Sequence, residues 1–491
     1  MRTRTIIRAI ILCLLMWSTV IADPGDTVWT RVLGTNLDDI AYAIDQTIDG
    51  GYIIAGMSGG PVIPYCYDVF LVKTDESGDS QWTHKYGQTD SFEAGRSIQQ
   101  THDGGYIIGG YTDMSGESGR DFYLIKTDSN GDSLWTRTYG DILDEQAHSV
   151  GQTSDGGYIL AGWTVPLGLG RIDMLIVKTD PAGNPIWEYQ NNGFLAEEAY
   201  SIQQTSDEGY ILTGWTQSYG AGHCDFYVVK LDSTGEEIWT NTYGGVDDDL
   251  AYSIRQTSDD GYIIAGSTLS FDVAWGDIYL VRTDALGDTI WTRTFGDNNA
   301  ERALSVAQTS DDGFIIAGYR GNGDIIESYD CYVLKTNSEG DLIWANTYGG
   351  YDFDQAFCIK QNSEGNYIVV GSTNSFSEWG SDIYLLLLEG ENQSTVPDPN
   401  NAYPTGYDFC VNYPNPFNSS TIIDYNLSRQ SHVVVSIYDI LGRKVTTLQD
   451  CARPAGNHQL VWNAENVTSG IYFYMIHTGD FSVIESMTLV K

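Results

Sequence analysis

The feature that most constrains this chain is an internal repeat of 52 or 53 residues. A tryptophan marks the register of each unit, and an aromatic residue after a glycine turn marks it a second time. The tryptophans are Trp29, Trp82, Trp135, Trp187, Trp239, Trp291 and Trp344, and the second markers are Tyr52, Tyr106, Tyr158, Tyr210, Tyr262, Phe314 and Tyr367. A fixed period of this size is typical of solenoids, propellers and arrays, so seven copies of one small unit are predicted.

Each unit reads as four short strands. Apolar and polar residues alternate, Tyr, Ile, Val, Thr and Trp are frequent, and no helical periodicity is sustained. In the fifth unit the strands are predicted at 251–257, 262–268, 277–283 and 289–295, and we name them A, B, C and D. Asp and Gly residues between A and B and between C and D suit tight hairpin turns. The pattern predicts an all-β fold, a seven-bladed β-propeller with four-stranded blades, over residues 23–389.

The two ends of the array complement each other. The chain enters with a lone D strand at 26–34 and leaves with a C strand at 382–388. Pairing these strands would complete the seventh blade and close the ring by the N-terminal strand, leaving no exposed sheet edge. The alternative, an open β-solenoid, needs capping units, which the repeat pattern does not show.

The units resemble a family of bacterial seven-bladed propeller repeats with the signature D-x-A-x-x-I followed by D-x-G-x-x-Y-x-x-G. The matching residues in the fifth unit are Asp249, Ala251, Ile254, Asp259, Gly261, Tyr262 and Gly266. This resemblance implies a fold and no particular activity, because propellers carry many functions.

Residues 1–22 predict a secretory signal peptide, because Arg2, Arg4 and Arg8 precede a short apolar run at 9–17. No other segment approaches 18 apolar residues, so no integral membrane segment is expected in the mature chain. The 66 acidic residues outnumber the 25 basic ones and give a formal net charge of −41. Such a surface repels phosphate groups, which argues against a nucleic acid partner.

Comparison of the seven units reveals an acidic residue two places before each predicted strand A. These residues are Asp39, Glu93, Glu145, Glu197, Asp249, Glu301 and Asp354. Strand A is innermost in a propeller, so the seven carboxylates are expected to form a ring near one mouth of the channel. The ring is a candidate calcium site, although the sequence requires no cofactor. The alternative is a repeated cap or a hydrogen bond between blades.

Three further columns are predicted to serve the frame. In the fifth unit they are Gln256 on strand A, the pair Asp277 and Arg282 on strand C, and Trp291 on strand D. The glutamine side chains are expected to form hydrogen bonds with backbone groups, and the basic residues are expected to form ion pairs within their blades. The tryptophans are expected to pack as wedges between neighbouring blades.

The B–C loops differ in every unit, whereas the turns are short and uniform. They place eight candidate ligand-binding residues on one face: Tyr65, Arg120, Arg171, Tyr219, His223, Trp275, Tyr329 and Trp379. Aromatic side chains beside an acidic mouth suit an extracellular glycan or a peptide, by stacking and hydrogen bonding. The alternative is that these are ordinary surface loops.

No catalytic motif of the hydrolase, metalloprotease or nucleotide-binding classes occurs. A glycosidase-like propeller needs singular polar residues on its inner strands, and these strands read as uniform. The sequence therefore favours a secreted or cell-surface binding module over an enzyme. Two alternatives stay open: a polysaccharide-active hydrolase or lyase that uses the loop-bearing face, and a structural surface protein.

After a polar, proline-containing linker at 390–405, residues 406–491 predict a small immunoglobulin-like β-sandwich. The motifs YPNPFN at 413–418, YDILGR at 438–443, SGIYFY at 469–474 and MTLVK at 487–491 resemble the type A C-terminal sorting domain of type IX secretion. Ser419 departs from the proline that is common there. The resemblance implies that the type IX secretion machinery reads residues 406–491 and carries the protein through the periplasm to the outer-membrane surface or the extracellular space.

Overall fold

The computed structural model describes residues 24–59, 66–88, 91–113, 119–140, 143–166, 171–191, 193–271, 273, 275–297, 299–321, 328–377, 380–391, 410–413, 419–427, 431–439, 443–454, 456–464, 467–477, 482–489 and 491. The predicted signal peptide, residues 392–405 of the predicted linker, Tyr65 and Trp379 lie outside these residues. The chain divides into two compact units, Met1–Gln393 and Ser394–Lys491. No helix in the described part of the chain is long and apolar enough to cross a membrane.

The first unit contains seven antiparallel sheets of four strands each. Its strands are β1 (Thr27–Leu33), β2 (Asp39–Gln46), β3 (Tyr52–Gly59), β4 (Tyr67–Thr74), β5 (Ser80–Tyr86), β6 (Glu93–Gln100), β7 (Tyr106–Thr112), β8 (Asp121–Thr127), β9 (Ser133–Tyr139), β10 (Glu145–Gln152), β11 (Tyr158–Thr164), β12 (Asp173–Thr179), β13 (Pro185–Gln190), β14 (Glu197–Gln204), β15 (Tyr210–Thr216), β16 (Asp225–Leu231), β17 (Glu237–Tyr243), β18 (Asp249–Gln256), β19 (Tyr262–Thr268), β20 (Asp277–Thr283), β21 (Thr289–Phe295), β22 (Glu301–Gln308), β23 (Phe314–Gly321), β24 (Tyr329–Thr336), β25 (Leu342–Tyr348), β26 (Asp354–Gln361), β27 (Tyr367–Thr373) and β28 (Asp382–Leu388).

Six sheets use four consecutive strands, and the seventh joins β26, β27 and β28 to β1 from the start of the chain. In this seventh sheet β1 pairs antiparallel with β28. The inner strand of each sheet contacts the inner strands of both neighbours, and β26 contacts β2. The all-β propeller fold is thus as predicted, and these contacts are consistent with the expected closure of the ring.

Every inner strand contains a β-bulge at the same place, three residues after its acidic residue. In the fifth blade the register shifts between Ala251 and Ser253, so Tyr252 is the extra residue. Because the pairing continues on both sides of the bulge, the strand begins at Asp249, two residues earlier than predicted. The acidic column therefore lies inside the inner strands and not before them.

The blades pack through the two markers of the repeat. Each tryptophan of strand D lies against the aromatic residue that begins strand B of the next blade, with ring centroids 5.5–6.3 Å apart. In the seventh sheet Trp29 of β1 contacts Tyr52 of the first blade in this way. Buried apolar residues of neighbouring sheets form shared clusters around these contacts. The tryptophans thus pack between neighbouring blades, as predicted.

The glutamines and the basic residues of the repeated columns lie near the end of each blade that carries the A–B and C–D turns. We name this end the turn face. Each glutamine side chain accepts a hydrogen bond from a backbone N–H in the A–B turn of the preceding blade, at 2.8–2.9 Å. The buried Lys73 pairs with Asp49 of the A–B turn and bonds the carbonyl of Thr74. The basic residues thus pair within their blades, with a turn aspartate and not with the aspartate that opens strand C.

The second unit is a pair of small sheets. Its strands are β29 (Cys410–Tyr413), β30 (Ser420–Leu427), β31 (Ser431–Asp439), β32 (Lys444–Arg453), β33 (Gly456–Asn463), β34 (Gly470–His477) and β35 (Ser482–Leu489). One sheet has the order β29-β30-β33 and the other β32-β31-β34-β35. Their shared core includes Ile423, Trp462 and Tyr474, as a β-sandwich requires.

Candidate functional site

The ends of the blades that carry the D–A and B–C connections form one face, which we name the loop face. The seven acidic residues open the inner strands there, and each is almost fully buried. Their carboxylates bind groups of their own blade: Asp249 accepts hydrogen bonds from Gly245 N at 2.7 Å and Ser270 Oγ at 2.9 Å. Glu197 accepts one from Thr216 Oγ1 at 3.0 Å, and Glu301 pairs with Arg320 at 2.9 Å.

A second carboxylate lies close to each of several of these residues. The glycine that ends strand D lies between these two carboxylates. One belongs to the aspartate that opens strand C of the same blade as the glycine, and the other belongs to the acidic residue of the next blade. A Cβ built on Gly87 would lie 2.0 Å from Asp68 and 2.8 Å from Glu93, and one on Gly244 would lie between Asp225 and Asp249. The acidic residues therefore meet in pairs between blades, and a side chain at the glycine would not fit.

One oxygen of many of these buried carboxylates has no hydrogen-bond partner among the described residues; the residues concerned are Asp39, Glu93, Glu197, Asp249, Glu301 and Asp354. Burial raises the pKa of Glu93 to about 7, against hydrogen bonds from Ser91 and Thr112 and with smaller contributions from the charges of Asp113 and Asp68. No described group of three or more His, Cys, Asp or Glu side chains could hold a metal ion. Calcium binding by the ring therefore stays a prediction.

We expect the variant Glu93→Gln to change how stability depends on pH. Glutamine resembles the protonated acid. The folded carboxyl has a pKa of about 7, above the unfolded value near 4.5, so the folded state holds an extra proton between these values and stability falls as pH rises through that window. The variant should match the wild type at pH 5 and gain on the order of 2 kcal/mol at pH 8. Urea unfolding across this range measures the difference. The exposed Glu188→Gln is the control, and parallel curves for Glu93→Gln and wild type would contradict the expectation.

The structure describes six of the eight predicted loop residues, and Tyr65 and Trp379 lie outside its described parts. Tyr219 and Trp275 are exposed, 45% and 53% respectively, and His223 is also exposed. Arg171 is held by Asp173 at 3.1 Å. Tyr329 begins β24 instead of lying in a loop, and it packs against Tyr319.

Arg120, the remaining loop residue, lies over the rings of Phe92 and Tyr111 at 5.0 and 5.2 Å. The six residues come from five blades, with Tyr219 and His223 in the same B–C loop, so the structure does not gather them into one cluster.

The D–A loops, which the sequence reading left aside, add exposed apolar residues to the same face. Together with the B–C loops they present Phe194, Leu195, Val246, Leu269, Phe271, Tyr351, Phe353 and Phe376. Hydrogen bonds tie the two kinds of loop together, such as Leu195 N to Ser218 Oγ at 2.8 Å. Phe271 has a φ of 63°, a left-handed conformation that is rare for a bulky residue and is typical of strained functional loops. An exposed apolar rim of this extent is typical of an interaction surface.

The inner strands carry the largest departure from the sevenfold pattern. The bulge position holds five residue types in the seven blades, with tyrosine in three of them; the residues are Tyr42, Arg96, His148, Tyr200, Tyr252, Leu304 and Phe357. Because they come from successive inner strands, their side chains meet around the channel. The centroids of Tyr42 and Phe357 are 5.2 Å apart, and those of His148 and Tyr200 are 4.7 Å apart. The expectation that inner strands are uniform is wrong at this column.

A second variable column lies one residue after each acidic residue, at the loop-face end of strand A. Its members pair directly with residues near the end of strand B: Gln146 with Trp163, Glu198 with Trp215, Arg302 with Tyr319, and Ala94 with Tyr111. Opposed residues of an antiparallel pair project to the same side of the sheet. We name these eight residues and the bulge residues the mouth cluster. Comparing columns across the seven units was the signal that could have found it.

The mouth cluster combines aromatic surface with hydrogen-bonding groups. Trp163 is partly exposed, and its side chain forms no hydrogen bond or ring contact with the described residues. His148 Nε2 lies 3.1 Å from Glu198 Oε1. Burial lowers the pKa of His148 and the charge of Arg96 lowers it further, against the hydrogen bond with Glu198. The imidazole is therefore neutral at pH 7, and the cluster offers stacking faces, neutral donors and fixed guanidinium charges.

Comparison with known proteins identifies the family of the second unit. Residues 412–490 match the family described as the secretion system C-terminal sorting domain. The regulatory protein FlaEY of Caulobacter vibrioides is 21% identical over 273 residues, which cover 51% of this chain and 25% of FlaEY. The chain thus spans about a quarter of the length of that curated relative.

Two solved structures are similar in part. PorZ, an essential bacterial surface component of the type IX secretion system of Porphyromonas gingivalis, has 12% identity and a TM-score of 0.36 over 90% of this chain and 58% of PorZ. The β-propeller domain of the Trilobed protease from Pyrococcus furiosus has 10% identity and a TM-score of 0.40 over 77% of this chain and 100% of that domain. The chain is a β-propeller repeat protein whose residues 412–490 belong to the C-terminal sorting domains of type IX secretion, which send it to the cell surface or the extracellular space.

Proposed function

We propose that the propeller is an extracellular binding module that holds a glycan in the mouth cluster on its loop face. The observation that supports this most strongly is where the sevenfold pattern breaks. The turn face repeats the same glutamine, lysine and aspartate contacts, while residue types vary among the blades in the mouth cluster and its surrounding loops. A ligand that is not itself sevenfold needs such a varied surface.

The chemistry of the mouth cluster favours a sugar. Trp163 and its cross-strand partner Gln146 offer a flat apolar face beside an amide. Tyr252 contacts Tyr200 at 5.0 Å, and burial raises the pKa of the Tyr252 phenol to about 12, so its hydroxyl stays protonated and can hydrogen-bond. Aromatic faces with a few placed polar groups are the usual lining of small-ligand sites.

The test is glycan-array binding by the purified propeller, followed by tryptophan-fluorescence titration of each hit with and without calcium. We expect Trp163→Ala to weaken binding about tenfold, the loss of one stacking platform. Ile48→Ala is the matched control, because Ile48 is an apolar residue 94% exposed in an A–B turn of the turn face.

Three outcomes would count against the proposal. Binding that Trp163→Ala leaves unchanged would place the site elsewhere. Release of new reducing ends from a bound glycan would favour the hydrolase or lyase alternative. Binding of a peptide library in place of every glycan would change the ligand class, and loss of binding only when calcium is removed would support the metal prediction for the acidic ring.

A further inference from the structure

Two arginines at the loop-face end of the second blade form no ion pair with a carboxylate side chain of the described residues. Arg96 is the bulge residue of β6, and Arg120 precedes β8 at the end of the B–C loop. Their guanidinium groups lie 6.0 and 5.2 Å from the ring centroid of Tyr111, so one aromatic ring contacts both. Arg302 of the sixth blade also lies over two rings, those of Tyr252 and Tyr319, but no second described arginine shares either of them.

Arg96 contacts aromatic rings and forms no described ion pair with a carboxylate. Its guanidinium lies 4.1 Å from the ring centroid of Tyr42, and its Nε is buried without a hydrogen-bond partner among the described residues. A buried donor without an acceptor costs free energy, and a charged one costs more. Burial lowers the pKa of the neighbouring His148, the hydrogen bond with Glu198 opposes this shift, and the charge of Arg96 adds a smaller lowering.

The carboxylates near the two arginines accept hydrogen bonds from backbone or hydroxyl groups and form no described ion pair with either guanidinium. Asp113 accepts the backbone N–H of Phe92 at 2.7 Å, and Asp144 accepts the backbone N–H of Arg120 at 3.0 Å. Glu93 is buried and accepts Thr112 Oγ1 at 3.2 Å. By contrast, Arg282 and Arg320, elsewhere in the propeller, do form ion pairs with carboxylates. The guanidinium groups of the second blade are thus left available to an anion from outside.

We propose that Arg96 and Arg120 form a carboxylate-binding subsite and that the glycan is an acidic one, built from uronic acid residues. Guanidinium groups bind carboxylates through paired, charge-assisted hydrogen bonds. Tyr42, Phe92 and Tyr111 flank the arginines with faces against which a sugar ring can stack. This inference rests on the proposed function, since it names the class of glycan that the mouth cluster takes.

The experiment is calorimetric titration of the full propeller with trimers of galacturonic, guluronic and glucuronic acid, each beside its carboxyl-reduced counterpart. We expect at least one acidic trimer to bind about tenfold more tightly than its reduced form, the equivalent of one good charge-assisted hydrogen bond. Arg96→Gln and Arg120→Gln should each remove most of that difference while leaving weak binding of the reduced trimer.

Arg137→Gln is the control, because Arg137 lies on the outer strand of the same blade and also stacks on a ring, that of Trp135, at 5.3 Å. It should leave the difference unchanged. Equal binding of acidic and reduced trimers that Trp163→Ala still weakens would overturn the carboxylate subsite and keep the proposed function. No binding of any trimer by the wild type would overturn both. Melting temperatures of all variants separate loss of binding from loss of fold, and Arg120→Gln, on a loop, gives a second readout if Arg96→Gln unfolds.

Discussion

Deletion of residues 406–491 should leave a folded propeller that accumulates in the periplasm and is absent from the cell surface and the medium. The propeller has its own closed set of hydrophobic clusters, and the second unit has a separate core, so neither needs the other to bury its apolar residues. The motifs that match the sorting family all lie in the deleted part. Cell fractionation with an antibody against the propeller measures the distribution.

Two controls make this deletion informative. The purified truncated protein should unfold cooperatively in urea at the same midpoint as the propeller transition of the full chain. Residues 406–491 fused to a signal peptide and a fluorescent carrier should carry that protein out of the cell. Normal amounts of the truncated propeller in the medium would contradict the assignment of export to this domain.

The second large effect is expected from Gly266→Ala in the repeat signature. A Cβ at this position would lie 2.0 Å from the backbone oxygen of Leu250 and 2.7 Å from the ring of Phe226. The bulge brings the inner strand too close for any side chain, and backbone cannot move aside as a flexible side chain can. We expect a loss of about 3 kcal/mol or more in the free energy of unfolding, measured in urea.

Gly151→Ala is the matched control, because it changes the same residue type on an inner strand. A Cβ there meets nothing closer than 3.8 Å, so the variant should equal or slightly exceed the wild type in stability. If the two variants lose the same free energy, the close approach at the bulge is not what requires glycine at 266.

The sequence predicted most of the frame because the frame is local and repeated. Three of the four strands of the fifth unit begin and end where the alternation of apolar and polar residues placed them. The tryptophan wedges were also readable, since a residue repeated seven times at one register must meet the same neighbour seven times. The acidic column could be found in the sequence for the same reason. Its burial and its proximity to the strand C aspartates could not be predicted, because both depend on the neighbouring blade.

The candidate site was less accessible to sequence reasoning. The loops drew attention because they vary, yet Arg171 forms an ion pair with a neighbouring aspartate, while Arg120 and Tyr329 contact rings of the mouth cluster. The bulge column varies as much as the loops do, but it sits inside strands that look alike in every other position. A bulge is not encoded by a recognisable motif, so the contacts of Arg96 and His148 with neighbouring inner strands were not expected.

By itself, then, the sequence determined the number of blades, the four strands of each, the pairing of the chain's ends and the sorting domain, because each follows from short-range patterns repeated in register or from motifs of fixed spacing. The tertiary structure alone decided which side chains meet. Residues such as Tyr42, Arg96 and His148 are about one repeat apart along the chain, and only the radial arrangement of the blades brings them together at the channel.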